Sequence, residues 1–198
     1  MRLTDIDLKG LGRFCDAPAT FECTRYHLPA PWDYVYTNGD VLLRIRQDGA
    51  GYLQAQPPQG VPLLAGPPLL YRASGHCTPN MFTWIITGSR RRREAFSNFY
   101  QPALPSPRAA AEPDEYACTF SPECARYRLR RGDWLVETEA WVPPAGALMV
   151  MTVTVRNEGP RRRACTVMPV VRPLLARFGL PPWDVPSWYQ TSAFCWVD

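Results

Sequence analysis

Residues 125–141 read Ala125-Arg126-Tyr127-Arg128-Leu129-Arg130-Arg131-Gly132-Asp133-Trp134-Leu135-Val136-Glu137-Thr138-Glu139-Ala140-Trp141. Arg131-Gly132-Asp133 separates Tyr127-Arg128-Leu129 from Trp134-Leu135-Val136, which is the spacing of a β-hairpin with glycine in its turn. Along 134–141 the apolar Trp134, Val136 and Ala140 share one face with Thr138, while Leu135 and Trp141 share the other with Glu137 and Glu139. A period of two with one apolar face is the signature of a strand that buries one side.

The same reading extends along the chain. Period-two patterns and short apolar runs, bounded by proline and glycine, predict strands at 21–26, 34–36, 41–46, 51–54, 69–72, 82–86 and 95–99. In the second half they fall at 116–120, 125–130, 134–141, 147–157, 163–171 and 194–197. Asn38-Gly39 reads as a primed hairpin turn. The run Leu148-Met149-Val150-Met151-Thr152-Val153-Thr154-Val155 is apolar or threonine on both faces, as expected of a central strand covered on both sides. The expected fold class is all-β, an antiparallel sandwich of two sheets. Two stretches stand apart: the Pro and Ala loop 101–113, and 173–189, whose Trp183 and Trp188 are expected to anchor it over an edge of the sandwich.

Composition agrees. Of 198 residues 46% are apolar and 20% charged, the net charge is +4, and no run of eighteen apolar residues occurs. That charge is too small for a nucleic-acid tail, and no membrane span is encoded. The 22 prolines and 13 glycines argue against long helices. The start, with acids at Asp5 and Asp7 and no apolar core, is not read as a secretory signal. Seven cysteines (15, 23, 77, 118, 124, 165 and 195), with no C-x-x-C spacing, are read as reduced thiols of a cytoplasmic protein. His27 and His76 are the only histidines. Cys77 follows His76 directly, and neighbours on a strand point to opposite faces, so no metal and no cofactor is expected.

No motif of high catalytic specificity is present: serine elbows, glycine-rich phosphate loops and H-E-x-x-H are all missing. Glu137 and Glu139 lie about 7 Å apart on one strand, a spacing an inverting glycosidase uses, but side chains on one strand project in parallel and do not converge on a bond. They read as solvated carboxylates. The arginine runs 90–93 and 161–163 read as solvated turns, because Lys9 is the sole lysine and arginine is this chain's default base. Aromatic residues in or beside loops, Trp32, Tyr34, Tyr100, Trp183, Trp188 and Tyr189, are suited to stacking on sugars or to an interface, although most aromatics in a sandwich are core.

Pro31-Trp32, then Thr37-Asn38-Gly39, then Gly49-Ala50-Gly51-Tyr52 resemble the opening of glycoside hydrolase family 94, formerly glycosyltransferase family 36, which includes cellobiose and chitobiose phosphorylases. The resemblance continues through Tyr116-Ala117-Cys118, the strand 134–141 with Val142-Pro143-Pro144, the segment 153–162, and Pro182-Trp183-Asp184-Val185-Pro186-Ser187-Trp188-Tyr189. It covers about residues 20–198 and implies an amino-terminal β-sandwich of the supersandwich, galactose-mutarotase-like type. In the family that domain precedes a helical linker and an (α/α)6 barrel holding the aspartate general acid and the phosphate-binding residues. No catalytic residue is therefore carried over to this sequence. The organisation expected is an extension at 1–19, a sandwich at 20–172 and a Trp/Pro-rich segment with a final strand at 173–198, with the barrel absent.

The resemblance implies a carbohydrate-associated domain, scaffold and active-site border of a glycoside phosphorylase or glycosyltransferase acting on β-linked glucosides. Its partners would be the catalytic domain and a second copy in a homodimer. Trp32, Tyr34, Asn38, Trp183 and Trp188 are the carbohydrate or interface candidates. The alternative reading is a stand-alone carbohydrate-binding module. A nucleic-acid binder would rest on the arginine runs alone.

Overall fold

The computed structural model describes residues 8, 10–15, 19–28, 31–55, 81–89, 91–104 and 113–171. The predicted strands 69–72 and 194–197, residues 105–112 and the segment 173–189 with Trp183 and Trp188 lie outside the described residues.

Among the described residues thirteen strands make up the regular structure, and no helix occurs. They are β1 (Arg13–Phe14), β2 (Phe21–Cys23), β3 (Asp33–Thr37), β4 (Val41–Arg46), β5 (Gly51–Ala55), β6 (Met81–Ser89), β7 (Arg92–Ser97), β8 (Tyr100–Leu104), β9 (Glu115–Phe120), β10 (Ala125–Arg131), β11 (Trp134–Trp141), β12 (Val150–Asn157) and β13 (Thr166–Val171). Every pairing is antiparallel, in a six-stranded sheet β1-β2-β9-β10-β11-β12, a four-stranded sheet β13-β6-β7-β8 and a three-stranded sheet β3-β4-β5. The all-β, antiparallel expectation holds.

The hairpin of β10 and β11 is registered as the alternation requires, with Tyr127 opposite Thr138, Arg128 opposite Glu137 and Leu129 opposite Val136. Ala125, Tyr127, Leu129, Trp134, Val136, Thr138 and Ala140 are buried, while Arg126 and Arg128 are exposed. Gly132 takes a positive φ of 56° at the tip, a backbone that side chains other than glycine adopt at a cost.

One apolar cluster joins the three sheets. Phe21, Cys118, Phe120, Tyr127 and Leu129 from the six-stranded sheet meet Tyr36, Val41, Leu43 and Ile45 from β3 and β4, and Phe82, Ile85 and Phe96 from β6 and β7. Each such side chain stabilises the fold by about 1.5–3 kcal/mol. An exposed pair such as Arg126 with Glu139 adds about 0–1 kcal/mol, so core packing decides the fold.

Four expectations change. The strand predicted as central, 147–157, is β12, and it forms an edge of the six-stranded sheet. Threonine suits a strand on either kind of face; here Thr152 and Thr154 stand in solvent, while Met151, Val153 and Val155 pack against the core. The stretch 101–113, read as loop, begins inside β8, where Pro102 is tolerated because β8 is an edge strand. The two-residue strand β1 carries too few residues to show a period, and it falls within 1–19. The Asn38-Gly39 turn is not of the two-residue primed kind: Thr37 pairs with Leu42, and the Asn38 Oδ1 accepts from the Asp40 and Val41 N–H groups at 2.9 and 3.0 Å. The side chain thus substitutes for backbone in a longer turn.

Candidate functional site

The sequence candidates Trp32, Tyr34 and Asn38 lie close together along the chain, in and just before the first hairpin. Trp32 precedes β3. Its indole N–H donates to the Leu11 carbonyl at 3.2 Å and its ring lies 4.8 Å from that of Phe21. Tyr34, on β3, is half-buried, stacked on Phe120 at 5.9 Å and against Tyr36 at 4.8 Å. Asn38 sits in the β3–β4 turn, and its Nδ2 donates to the Pro143 and Gly146 carbonyls at 2.8 and 2.9 Å. With both Oδ1 bonds in the turn, the amide has four partners, and Asp40 adds a fifth bond by accepting from Gly146 N–H at 3.1 Å. Asn38 thereby clamps the loop between β11 and β12 onto the first hairpin.

The turn joining β4 to β5 is polar and buried. Arg46, Gln47 and Asp48 are all buried, although turns normally lie in water. Arg46 pairs with Asp48 at 2.8 Å. A buried ion pair leans on further hydrogen bonds around it, and the turn supplies several, although the buried Gln47 Oε1 has none among the described residues. Here Tyr127 donates to the Arg46 carbonyl at 2.7 Å, Tyr116 donates to the Gln47 carbonyl, the Gln47 N–H donates to the Trp32 carbonyl at 3.0 Å, and Asp48 Oδ1 accepts from Ala50 N–H at 3.1 Å. Gly49 has φ +77°, and a Cβ there would fall 2.2 Å from the Phe99 ring. The sequence marks this turn only as a glycine-rich one; its burial depends on tyrosines some seventy to eighty residues away.

Burial pushes the Tyr116 and Tyr127 hydroxyls and the Cys118 thiol well above their ordinary values, with neighbouring ionisable groups adding to the effect. Cys23, directly opposite Cys118 across β2 and β9, is raised by burial as well. Groups so held are protonated at neutral pH, so they serve as donors and packing and not as bases or nucleophiles.

On the outer face of the six-stranded sheet, Glu137 lies 3.4 Å from Arg128 and 3.2 Å from Arg156, and Glu139 lies 2.7 Å from Arg126. The hydrogen bond to Glu139 is the main reason that Arg126 is held more firmly protonated than usual. Each carboxylate is therefore engaged by guanidinium on an open face, in the parallel arrangement read from the sequence. Among the described residues no group of three or more His, Cys, Asp or Glu could hold a metal ion, and no helix is long and apolar enough to cross a membrane.

The strand predicted at 163–171 is present as β13, and what sequence reasoning missed is its exposure. Its side chains are mostly exposed, Val167 by 47%, Met168 by 45% and Val171 by 45%, and among the described residues it is an edge strand of its sheet. An apolar run carries no signal that tells an exposed strand from a buried one.

The family model for the glycosyl hydrolase 94 supersandwich domain matches residues 78–179, a span that holds β6 to β13. No curated protein matches the chain.

Proposed function

Since this chain belongs to the glycosyl hydrolase 94 family through its supersandwich domain, we propose that it is the scaffold on which a separate catalytic domain is seated, bordering that domain's active site without supplying its chemistry. The enzyme would be a glycoside phosphorylase or glycosyltransferase acting on β-linked gluco-configured sugars. The observation that carries this reading is β13, an apolar edge strand with Val167, Met168 and Val171 nearly half exposed. Exposed apolar surface with an open backbone edge favours a partner. In this reading Asn38 shapes the border by fixing the loop at 143–146, and Trp32 and Tyr34 are candidates for contact with carbohydrate or with the partner, as are Trp183 and Trp188. The reading also extends to a cytoplasmic homodimer.

The test is docking. The chain is mixed with a separately expressed (α/α)6 domain of this family, and association is followed by sedimentation, with Val167→Glu and Met168→Glu as variants. Weakening by tenfold or more with the melting temperature preserved supports the seat on β13; association indifferent to both variants removes it. Saturable binding of cello-oligosaccharides by the chain, with no docking, would favour a stand-alone carbohydrate-binding module instead.

A further inference from the structure

The edge of a sheet can accept another strand, and folded proteins guard such edges with short length, charge, proline or a bulge. Among the described residues most edges here are guarded. β1 has two residues and exposes Arg13, β3 and β5 run for five residues each, with Asp33 exposed on β3, and β8 and β13 contain Pro102 and Pro169. A proline takes one donor out of a strand.

β12 has none of these guards. It runs for eight residues, VMTVTVRN, without proline, and it pairs with β11 from Trp141 opposite Val150 to Trp134 opposite Asn157 with no shift of register. Five of the eight are Val or Thr, which suit a pleated surface. Its one charge, Arg156, stands next to the end and is already paired with Glu137 at 3.2 Å.

Burial also stops short at this strand. Core-facing rows cross the sheet as Tyr127–Thr138–Val153, Leu129–Val136–Val155 and Ala125–Ala140–Met151. The members on β10 and β11 are buried, whereas Met151, Val153 and Val155 on β12 are half-buried. One more strand beside β12 would complete their burial, and it needs apolar residues at alternate positions.

β12 itself has that pattern. In an antiparallel pairing of two β12 strands centred on Val153, Met151 falls opposite the partner's Val155, Thr152 opposite the partner's Thr154, and Arg156 opposite the partner's Val150. Apolar side chains meet on the core side, threonines meet on the outer side, and no two like charges meet. We infer that β12 is a dimer edge, at which two copies of this chain join their six-stranded sheets through antiparallel β12 strands about a twofold axis. The inference rests on the homodimer of the reading above and gives it an interface separate from the seat on β13.

Sedimentation of the full chain over a range of concentrations tests it. Monomer should pass into dimer with a Kd of about 1–100 µM. Thr152→Lys combined with Thr154→Lys sets lysine against lysine across the axis, while each lysine stays beside a carboxylate of its own chain, Glu139 or Glu137. This double variant should keep the melting temperature of the monomer and weaken the dimer by about tenfold or more, whereas Val167→Glu on β13 should leave the dimer unchanged. Register is read by cross-linking, because directly opposite residues lie within reach of a disulfide. A mixture of Thr152→Cys and Thr154→Cys chains should cross-link under mild oxidation, and either variant alone, like the parent, should not. A dimer untouched by both lysines, or Thr152→Cys alone cross-linking as readily as the mixture, overturns this edge and leaves the homodimer standing. A chain that stays monomeric at roughly 100 µM overturns both. Oligomers that grow beyond two copies also overturn the inference, since a twofold edge closes at two. None of these outcomes bears on docking at β13, which is read separately.

Discussion

The Tyr127 hydroxyl donates to the Arg46 carbonyl at 2.7 Å and so ties the six-stranded sheet to the buried end of the β4–β5 hairpin. That carbonyl also accepts from the Gly49 N–H at 3.0 Å, so it keeps a partner when Tyr127 loses its hydroxyl. Tyr127→Phe should then cost about 1 kcal/mol. Tyr116→Phe leaves the buried Gln47 carbonyl without its hydroxyl donor and should cost more, about 1–3 kcal/mol. Urea unfolding ranks the two; the reverse order would mean that the hairpin is not held in this way.

Asn38 gives a second test. Asn38→Ala removes two hydrogen bonds donated to the loop at 143–146 and two accepted by Oδ1 within its own turn, for an expected loss of about 1–3 kcal/mol. Asn38→Asp retains the acceptors but sets a carboxylate against the Pro143 and Gly146 carbonyls, so it should be no milder. An aspartate variant as stable as the parent would show that the clamp is dispensable.

Much of the fold was legible in the sequence, and the reasons differ by element. The hairpin of β10 and β11 declares itself because alternation and a Gly132 turn agree locally. The edge position of β12 does not, since Thr152 and Thr154 fit a covered or an open face equally well. Asn38 was readable as a turn residue, but its amide meets Pro143, 105 positions away, and no local pattern encodes such a partner.

Two glycines separate backbone strain from crowding. Gly132 has φ +56° with nothing within 4 Å of an added Cβ, whereas at Gly49, φ +77°, the added atom meets the Phe99 ring. Gly132→Ala should cost about 1–2 kcal/mol from conformation alone. Gly49→Ala should cost about 2–5 kcal/mol, because overpacking is added. Thermal unfolding with similar losses at both sites would contradict the burial of that turn.

Stability should fall on the alkaline side. Cys23, Cys118, Tyr36, Tyr116 and Tyr127 all have raised values in the fold, chiefly through burial. The unfolded thiols release protons above about pH 8.5 and the unfolded phenols above about pH 10, while the folded groups still hold theirs. The unfolded state then binds fewer protons, and the free energy of unfolding drops as pH rises. The stability these groups contribute is complete below about pH 8.5 and is lost progressively above it. Cys118→Ala should flatten the thiol part of that decline in melting curves between about pH 8 and 10; an unchanged slope would mean that the thiol ionises equally in both states.

The central claim is that this family 94 domain supports catalysis without performing it, and an assay of the purified 198-residue chain addresses it most directly. Monodisperse protein is incubated with cellobiose or chitobiose and inorganic phosphate, and release of sugar phosphate is followed against a buffer blank. The account predicts no release above the blank with either disaccharide. Sustained turnover that scales with chain concentration and survives repurification would contradict it, and would place a general acid within these residues.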